Sequence, residues 1–464
     1  MSDHEPPSDS DDGHPGGPDD EIVTDPTVDD DETWEEHVEI VDGEGYARAP
    51  NEIHCLDSTA AERVVQLVRD RGGVARIEVF TATGEFAVAS DVIDVDLDTD
   101  ELRDAGHAVE VSYMLFADGA APSTPACGCD CCCASAPAAN PMYASPMYAS
   151  PMYASPMYAS AYRRSGKRPT TARPADEPPR RGPTAPAGGE LFVFDTGLAR
   201  PALLPAFLQG RVENEGTADD VDPPGPPDVH HPPQYEYLFP AAGHGTFIAG
   251  IVEQLIPGRT MRVDRVLHST GFGKMGRIAN VITHRAEKMN EFSVVNLSFS
   301  GYSRRGEEMR SLKKALRAVH RRRAVVVASA GNDGTCRETL PASARHVISV
   351  GAITPFGPAP FSNHGAWVRA CAPGADLVSS FYTDIDGPLA PSMPGQPDPD
   401  RFWGWARWSG TSFSAPVVAS ALLRHIALTP GTARDAVAWV IDRPGLFRLP
   451  GLGTVINASP AQPV

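Results

Sequence analysis

From residue 190 onward, short apolar runs alternate with amphipathic stretches of helical period, and this alternation leaves few architectures open. The runs at 191–194, 261–267, 293–297, 324–329 and 347–350 read as strands, and 244–254, 276–288 and 306–322 read as helices among them. Strands that are apolar throughout and joined through helices are buried on both faces. The expectation is therefore an α/β fold with an open, mostly parallel sheet and helices on both faces. Sheets of this kind gather their functional groups at the carboxyl ends of the strands.

Asp195-Thr196-Gly197 closes the first of these strands, and Gly243-His244-Gly245-Thr246 opens the first helix. Ala330-Gly331-Asn332-Asp333 follows 324–329, and Gly410-Thr411-Ser412-Phe413-Ser414-Ala415-Pro416 precedes the last apolar helix. An acid, an imidazole, an amide and a hydroxyl are each flanked by small residues. A serine hydroxyl is a weak nucleophile until a base takes its proton. The base needs a carboxylate to fix its tautomer, and the oxyanion that forms needs preorganised donors. Taken singly, Asp-Thr-Gly is a strand-to-turn signal and Gly-His-Gly a loop; together the four groups fill each role of an acyl-transfer site once. Gly243, Gly245 and Gly410 allow close backbone approach, and Pro416 is expected in the first turn of its helix.

In this chain order the residues resemble the subtilisin-like serine proteases, the subtilases. The resemblance runs from about residue 190 to the end of the sequence. It takes in Val294-Val295-Asn296-Leu297-Ser298, Phe361-Ser362-Asn363-His364-Gly365 and Ala372-Pro373-Gly374-Ala375-Asp376 as well. It implies a subtilisin-like fold and a serine endopeptidase that cleaves protein or peptide substrates through an acyl-enzyme intermediate. Carried over residue by residue, it implies that Asp195 orients His244, and that His244 is general base toward Ser412 and then general acid toward the leaving amine. The Ser412 N–H and the Asn332 amide would bind the oxyanion.

The chain departs from the family at Phe299-Ser300-Gly301, where Ser300 puts a side chain beside the expected substrate backbone. Ser298, Phe299 and Ser300, with Ala330 and Gly331 across the cleft, are the candidate substrate-binding residues. No charge stands at an obvious pocket floor, so an apolar or aromatic side chain is expected before the scissile bond. Two insertions, 215–236 and 384–407, enter ahead of His244 and Ser412 as long structureless loops, the second carrying Trp403 and Trp405. No cofactor is expected. Some relatives carry structural calcium, but no dense Asp-x-Asp pattern calls for it, and calcium is left open.

Upstream, the composition divides the chain again. Residues 1–45 hold eighteen of the sixty acids and no Lys or Arg, so the remaining 42 acids meet 40 bases and the net charge of −20 belongs almost wholly to this segment. It reads as a disordered acidic tail that repels nucleic acid. Residues 46–118 read as a small α+β module, a candidate propeptide or regulatory domain, with a helix at 58–71 capped by Ser58 and strands at 75–80, 85–89 and 107–115. Residues 119–189 read as a low-complexity linker. It holds five cysteines within Cys127–Cys133, four copies of Pro-Met-Tyr-Ala-Ser, and a basic stretch open to cleavage, which would release a fragment starting near Glu190. The cysteines and repeats are a candidate partner-binding region, and a scaffold with a silent or single-substrate protease domain is the rival reading. No apolar run reaches membrane-spanning length, and no basic-then-apolar leader opens the sequence, so the expected location is the cytoplasm.

Overall fold

A computed structural model describes residues 21–23, 38–41, 45–117, 172–175, 181–182, 184, 186, 188–199, 201, 203–214, 241–269, 271–383, 385–386 and 401–458. The Cys cluster and the Pro-Met-Tyr-Ala-Ser repeats lie outside the described residues. The chain divides into two compact units, Met1–Pro26 with Pro50–Ser112, and Thr27–Ala49 with Tyr113–Val464.

The smaller unit is an α+β fold. Strand Glu85–Ala89 pairs antiparallel with Arg76–Phe80 on one side and with residues 52–55 of strand Tyr46–Cys55 on the other. Helix Ser58–Asp70 buries Ala60, Ala61, Val64, Val65 and Val68, an apolar stripe at helical spacing. Its N-cap is Asp57, not Ser58, because the Asp57 carboxylate accepts from the Ala60 N–H at 2.8 Å. The acidic segment is not strand-free: Glu21–Val23 adds in parallel to Arg76–Phe80, and Glu39–Val41 pairs with Tyr46–Arg48.

The larger unit is the expected α/β sheet. Glu190–Asp195 lies third from one edge, parallel to Met261–Arg265 on one side and to Ser293–Leu297 on the other. Beyond Ser293–Leu297 follow Val325–Ser329, Val347–Thr354, Ala370–Pro373 and Gly453–Val455, all parallel in turn. The last two are short and bounded by Pro373 and Gly453, which hides them from sequence periodicity. Packing against the sheet are helices His244–Leu255 and Thr411–Leu428. The second has a mean hydropathy of 1.2 over eighteen residues, long and apolar enough to cross a membrane by length and composition. It is 78% buried inside the domain, as a helix apolar on every side must be in a folded core.

Packing in this unit also reaches back before Glu190. Ala172 and Ala175 are buried, and Arg173–Pro174 pairs antiparallel with Ala406 and Arg407. Arg259 donates to the carbonyls of Pro186 and Gly188, and Arg181 lies over the Phe207 ring and pairs with Glu253 at 3.3 Å. Part of the basic stretch expected to be free linker is therefore bound to the fold, because its arginines meet a buried carboxylate and an aromatic face. The second insertion is likewise not structureless, since it contributes Arg401–Phe402 and Trp405–Trp408, the latter paired with Leu377–Ser380.

Candidate active site

Asp195 is the last residue of strand Glu190–Asp195, fully buried. His244 opens the helix His244–Leu255, and its Nδ1–H donates to Asp195 Oδ1 at 2.7 Å; the Thr196 N–H donates to the same oxygen at 2.8 Å. The glycines around the imidazole are sterically required. Gly243 has φ 76°, and a Cβ there would stand 2.3 Å from the Phe381 ring; a Cβ at Gly245 would meet the Gly197 carbonyl at 2.2 Å. The imidazole packs edge-on against Trp408 at 5.5 Å and lies 5.2 Å from Phe413, so apolar rings wall its sides.

Ser412 is the second residue of helix Thr411–Leu428. Its hydroxyl donates to the Ser298 carbonyl at 3.0 Å, and His244 Nε2 has no hydrogen-bond partner among the described residues. Pro416 sits five residues into the helix, beyond the first turn where it was expected. A proline there has no N–H for the carbonyl four residues earlier, which is that of Ser412. The Ser298 hydroxyl fills the gap, donating to Ser412 O at 2.7 Å while it accepts from Asn296 Nδ2 at 2.9 Å.

Asn332 lies on the loop after Val325–Ser329. Its Oδ1 accepts from both the N–H and the hydroxyl of Thr411, each at 2.9 Å, so the amide has one orientation, with its NH2 turned away from Thr411. Thr411 Oγ1 accepts in turn from the Gly331 N–H at 3.2 Å, and Gly331 has φ 102°. The next residue, Asp333, accepts from the Tyr302 hydroxyl at 2.7 Å, yet burial pushes its carboxyl up from 3.8 to about 6, against the opposing pull of Tyr302 and Arg337. A carboxyl whose folded value is raised binds its proton more tightly folded than unfolded. Its contribution to stability is therefore lost as pH rises from about 4 through 6. In a Ser412→Ala background, Asp333→Asn is expected to raise unfolding stability at pH 8 by up to about 3 kcal/mol and to leave it unchanged at pH 4. Urea unfolding at the two pH values measures it, and equal effects at both would refute the assignment.

Ser298, Phe299 and Ser300 are buried beside the nucleophile. Phe299–Ser300 pairs antiparallel with Ala117 and Phe116, and Phe272–Lys274 pairs antiparallel with residues 114–116 on the other side. Residues 114–117 of this same chain thus form a strand between two edges, one of them following Ser298 directly. Leu115 is fully buried over Gly301, where a Cβ would stand 2.7 Å from its Cδ2. Met114 and Phe116 cluster instead with Val38, Ala47 and Ala49, with Ile40 and Phe272 packed alongside.

The family model described as the subtilase family matches residues 193–442, more than half of the chain. The chain belongs to the subtilase family. Among curated subtilases it is 30% identical over 272 residues to a thermophilic serine proteinase of Bacillus sp. (strain AK1), covering 55% of this chain and 57% of that protein. It is 28% identical over 252 residues to the subtilisin-like protease het-Q2 of Podospora anserina, covering 52% and 65%. The chain thus spans less than two thirds of the length of these relatives. A cold-adapted subtilisin-like serine proteinase of known structure aligns at 21% identity and a TM-score of 0.46 over 63% of this chain and 97% of that one.

Four groups in this subtilase site escape a reading by motif. Thr411 stands inside the serine motif, but its hold on Asn332 is visible only in space. Trp408 lies just beyond the second insertion, outside any motif. Tyr302 and Asn363 act on Asp333 in the Asn332 loop from 31 residues before it and 30 after it. Among the described residues Cys336 and Cys371 of this unit are free thiols, with burial pushing Cys371 up to about 12.

Proposed function

We propose that this chain is a serine endopeptidase held inactive by its own residues 113–117 in the substrate cleft. The observation that carries the reading is the 2.7 Å Asp195–His244 hydrogen bond together with a self-supplied strand between two edges, one of which continues from Ser298, the residue that accepts from Ser412. A peptide that adds as a strand offers its main chain to both edges and its alternate side chains to pockets, which is how a protein substrate is presented for cleavage.

In the reaction, Ser412 attacks the substrate carbonyl as its proton passes to His244 Nε2. Asp195, on Nδ1, fixes the tautomer and stabilises the imidazolium. The oxyanion lies between the Ser412 N–H and the Asn332 amide, whose orientation Thr411 sets. The imidazolium then protonates the leaving amine, and water hydrolyses the ester by the reverse sequence. The substrates are proteins or peptides, and the first bond cut is expected in the chain itself, shortly after Ala117. The Cys cluster and the repeats, just beyond, remain a candidate partner-binding region on either side of that event.

Labelling of the purified full chain with a serine-directed fluorophosphonate, beside Ser412→Ala, tests this. Wild type is expected to release a fragment beginning shortly after Ala117 and to label as it does so, while Ser412→Ala stays intact and unlabelled. Intact, unlabelled wild type under all conditions would favour the scaffold reading.

A further inference from the structure

The loop that carries Asn332 is short, glycine-bearing and only half-buried at Asn332 and Asp333, so something must hold the amide still. Thr411 grips the side chain. The residue that makes the most bonds to its backbone is Asn363, fully buried and 31 residues downstream. Its Oδ1 accepts from the N–H of Asp333 at 3.0 Å and of Thr335 at 3.2 Å. Its Nδ2 donates to the Ala330 carbonyl at 3.0 Å and to the Tyr302 hydroxyl at 3.2 Å. Its own N–H donates to the Gly331 carbonyl at 2.9 Å. Main-chain groups of the residues immediately before and after Asn332 are thus tied to a single side chain or its backbone.

The fit is close on every side. A Cβ at Gly331 would stand 2.4 Å from Asn363 Nδ2, so the loop passes against the amide with no room for a side chain. Both donors and both acceptor positions of the amide are in use, the full inventory an asparagine offers. The outer partner, Tyr302, is itself fixed: its hydroxyl donates to Asp333 at 2.7 Å, and the Arg337 guanidinium lies 4.2 Å over its ring. A buried polar network in which every member is satisfied holds one geometry, and an oxyanion donor is useful only while its geometry is held.

We propose that Asn363 is a positioning residue of the oxyanion site, holding the 330–335 loop so that the Asn332 amide points where negative charge develops. The inference rests on the oxyanion role given to Asn332 above. Asn363 touches no substrate atom and acts through Asn332. Its removal therefore lowers kcat with little change in KM, because the interaction it supports forms only in the transition state.

The test is a double-mutant cycle on enzyme matured from the full chain, assayed with a short chromogenic peptide. Asn363→Asp keeps the two acceptor bonds and loses the two donor bonds at nearly unchanged shape. Asn332→Ala alone is expected to lower kcat by about 10²–10³-fold, the range known for an oxyanion amide in a subtilisin. Asn363→Asp alone is expected to lower kcat about tenfold with KM within twofold, and to cost nothing further in the Asn332→Ala background. Where Asn363→Asp is not recovered folded, Asn363→Ser takes its place in the same cycle. An equal loss in both backgrounds would mean that Asn363 supports the fold generally and would overturn the proposal, as would an unchanged kcat in the single variant. An Asn332→Ala enzyme with unchanged kcat would refute the oxyanion role itself, a failure distinguishable from the other two.

Discussion

Replacing His244 by alanine is expected to lower kcat on a short peptide by about 10⁴–10⁶-fold, the range in which a triad loses its general base. The size follows from what the geometry leaves behind. Without His244 the Ser412 hydroxyl is left with an acceptor in the Ser298 carbonyl at 3.0 Å, which is too weak a base to take its proton. The oxyanion donors survive and account for the residual rate. Asp195→Asn tests a different part of the argument. An amide can present its NH2 to Nδ1, which then accepts; the proton moves to Nε2, the atom that must be free to take the serine proton. A loss of about 10⁴-fold is expected, with substrate affinity little changed. Steady-state kinetics of the two variants beside wild type measure both effects. A His244→Ala enzyme within tenfold of wild type would rule out the triad assignment.

The central sheet and the four chemical groups were legible for one reason. Strands such as Ser293–Leu297 and Val325–Ser329 are buried along their whole length, so they are mostly apolar, and the chemistry sits at strand ends and helix starts marked by small residues. Strand Tyr46–Cys55 was not legible, because it buries Arg48, Glu52 and His54 among its apolar residues. Those polar groups are satisfied by partners far along the chain, Glu52 by Ser112 at 2.6 Å and His54 by Glu85 at 3.2 Å. Asn363 lay in a stretch recognised by resemblance, yet its work is done on main-chain groups, which leave no trace in side-chain identity. The boundary at Glu190 failed for a related reason. Arginines at 173 and 181 look like linker until Ala406, Arg407 and Glu253 are seen beside them.

The proposed occupant of the cleft was the largest omission, since residues 107–115 read simply as a strand of the small module, whereas residues 114–117 pair with partners more than 150 residues away. That pairing makes the second large prediction. Along 113–117 the side chains alternate, Leu115 toward Gly301 and the enzyme, Met114 and Phe116 toward the cluster of Val38, Ala47 and Ala49. Leu115→Asp places a carboxylate where the chain has no room for water, and burying such a group unpaired costs several kcal/mol. The strand therefore leaves the cleft more often, while residues 190–458 keep every one of their own side chains. In the full chain, Leu115→Asp is expected to raise the initial rate of fluorophosphonate labelling at Ser412 by about 10–100-fold. Leu115→Ala, which leaves a cavity in place of a charge, moves it in the same direction by less. Because the occupant and the nucleophile belong to one chain, the effect is independent of protein concentration, which separates release of an internal strand from relief of inhibition between molecules. A labelling rate unchanged by either substitution in folded protein would mean that residues 113–117 do not restrain the site.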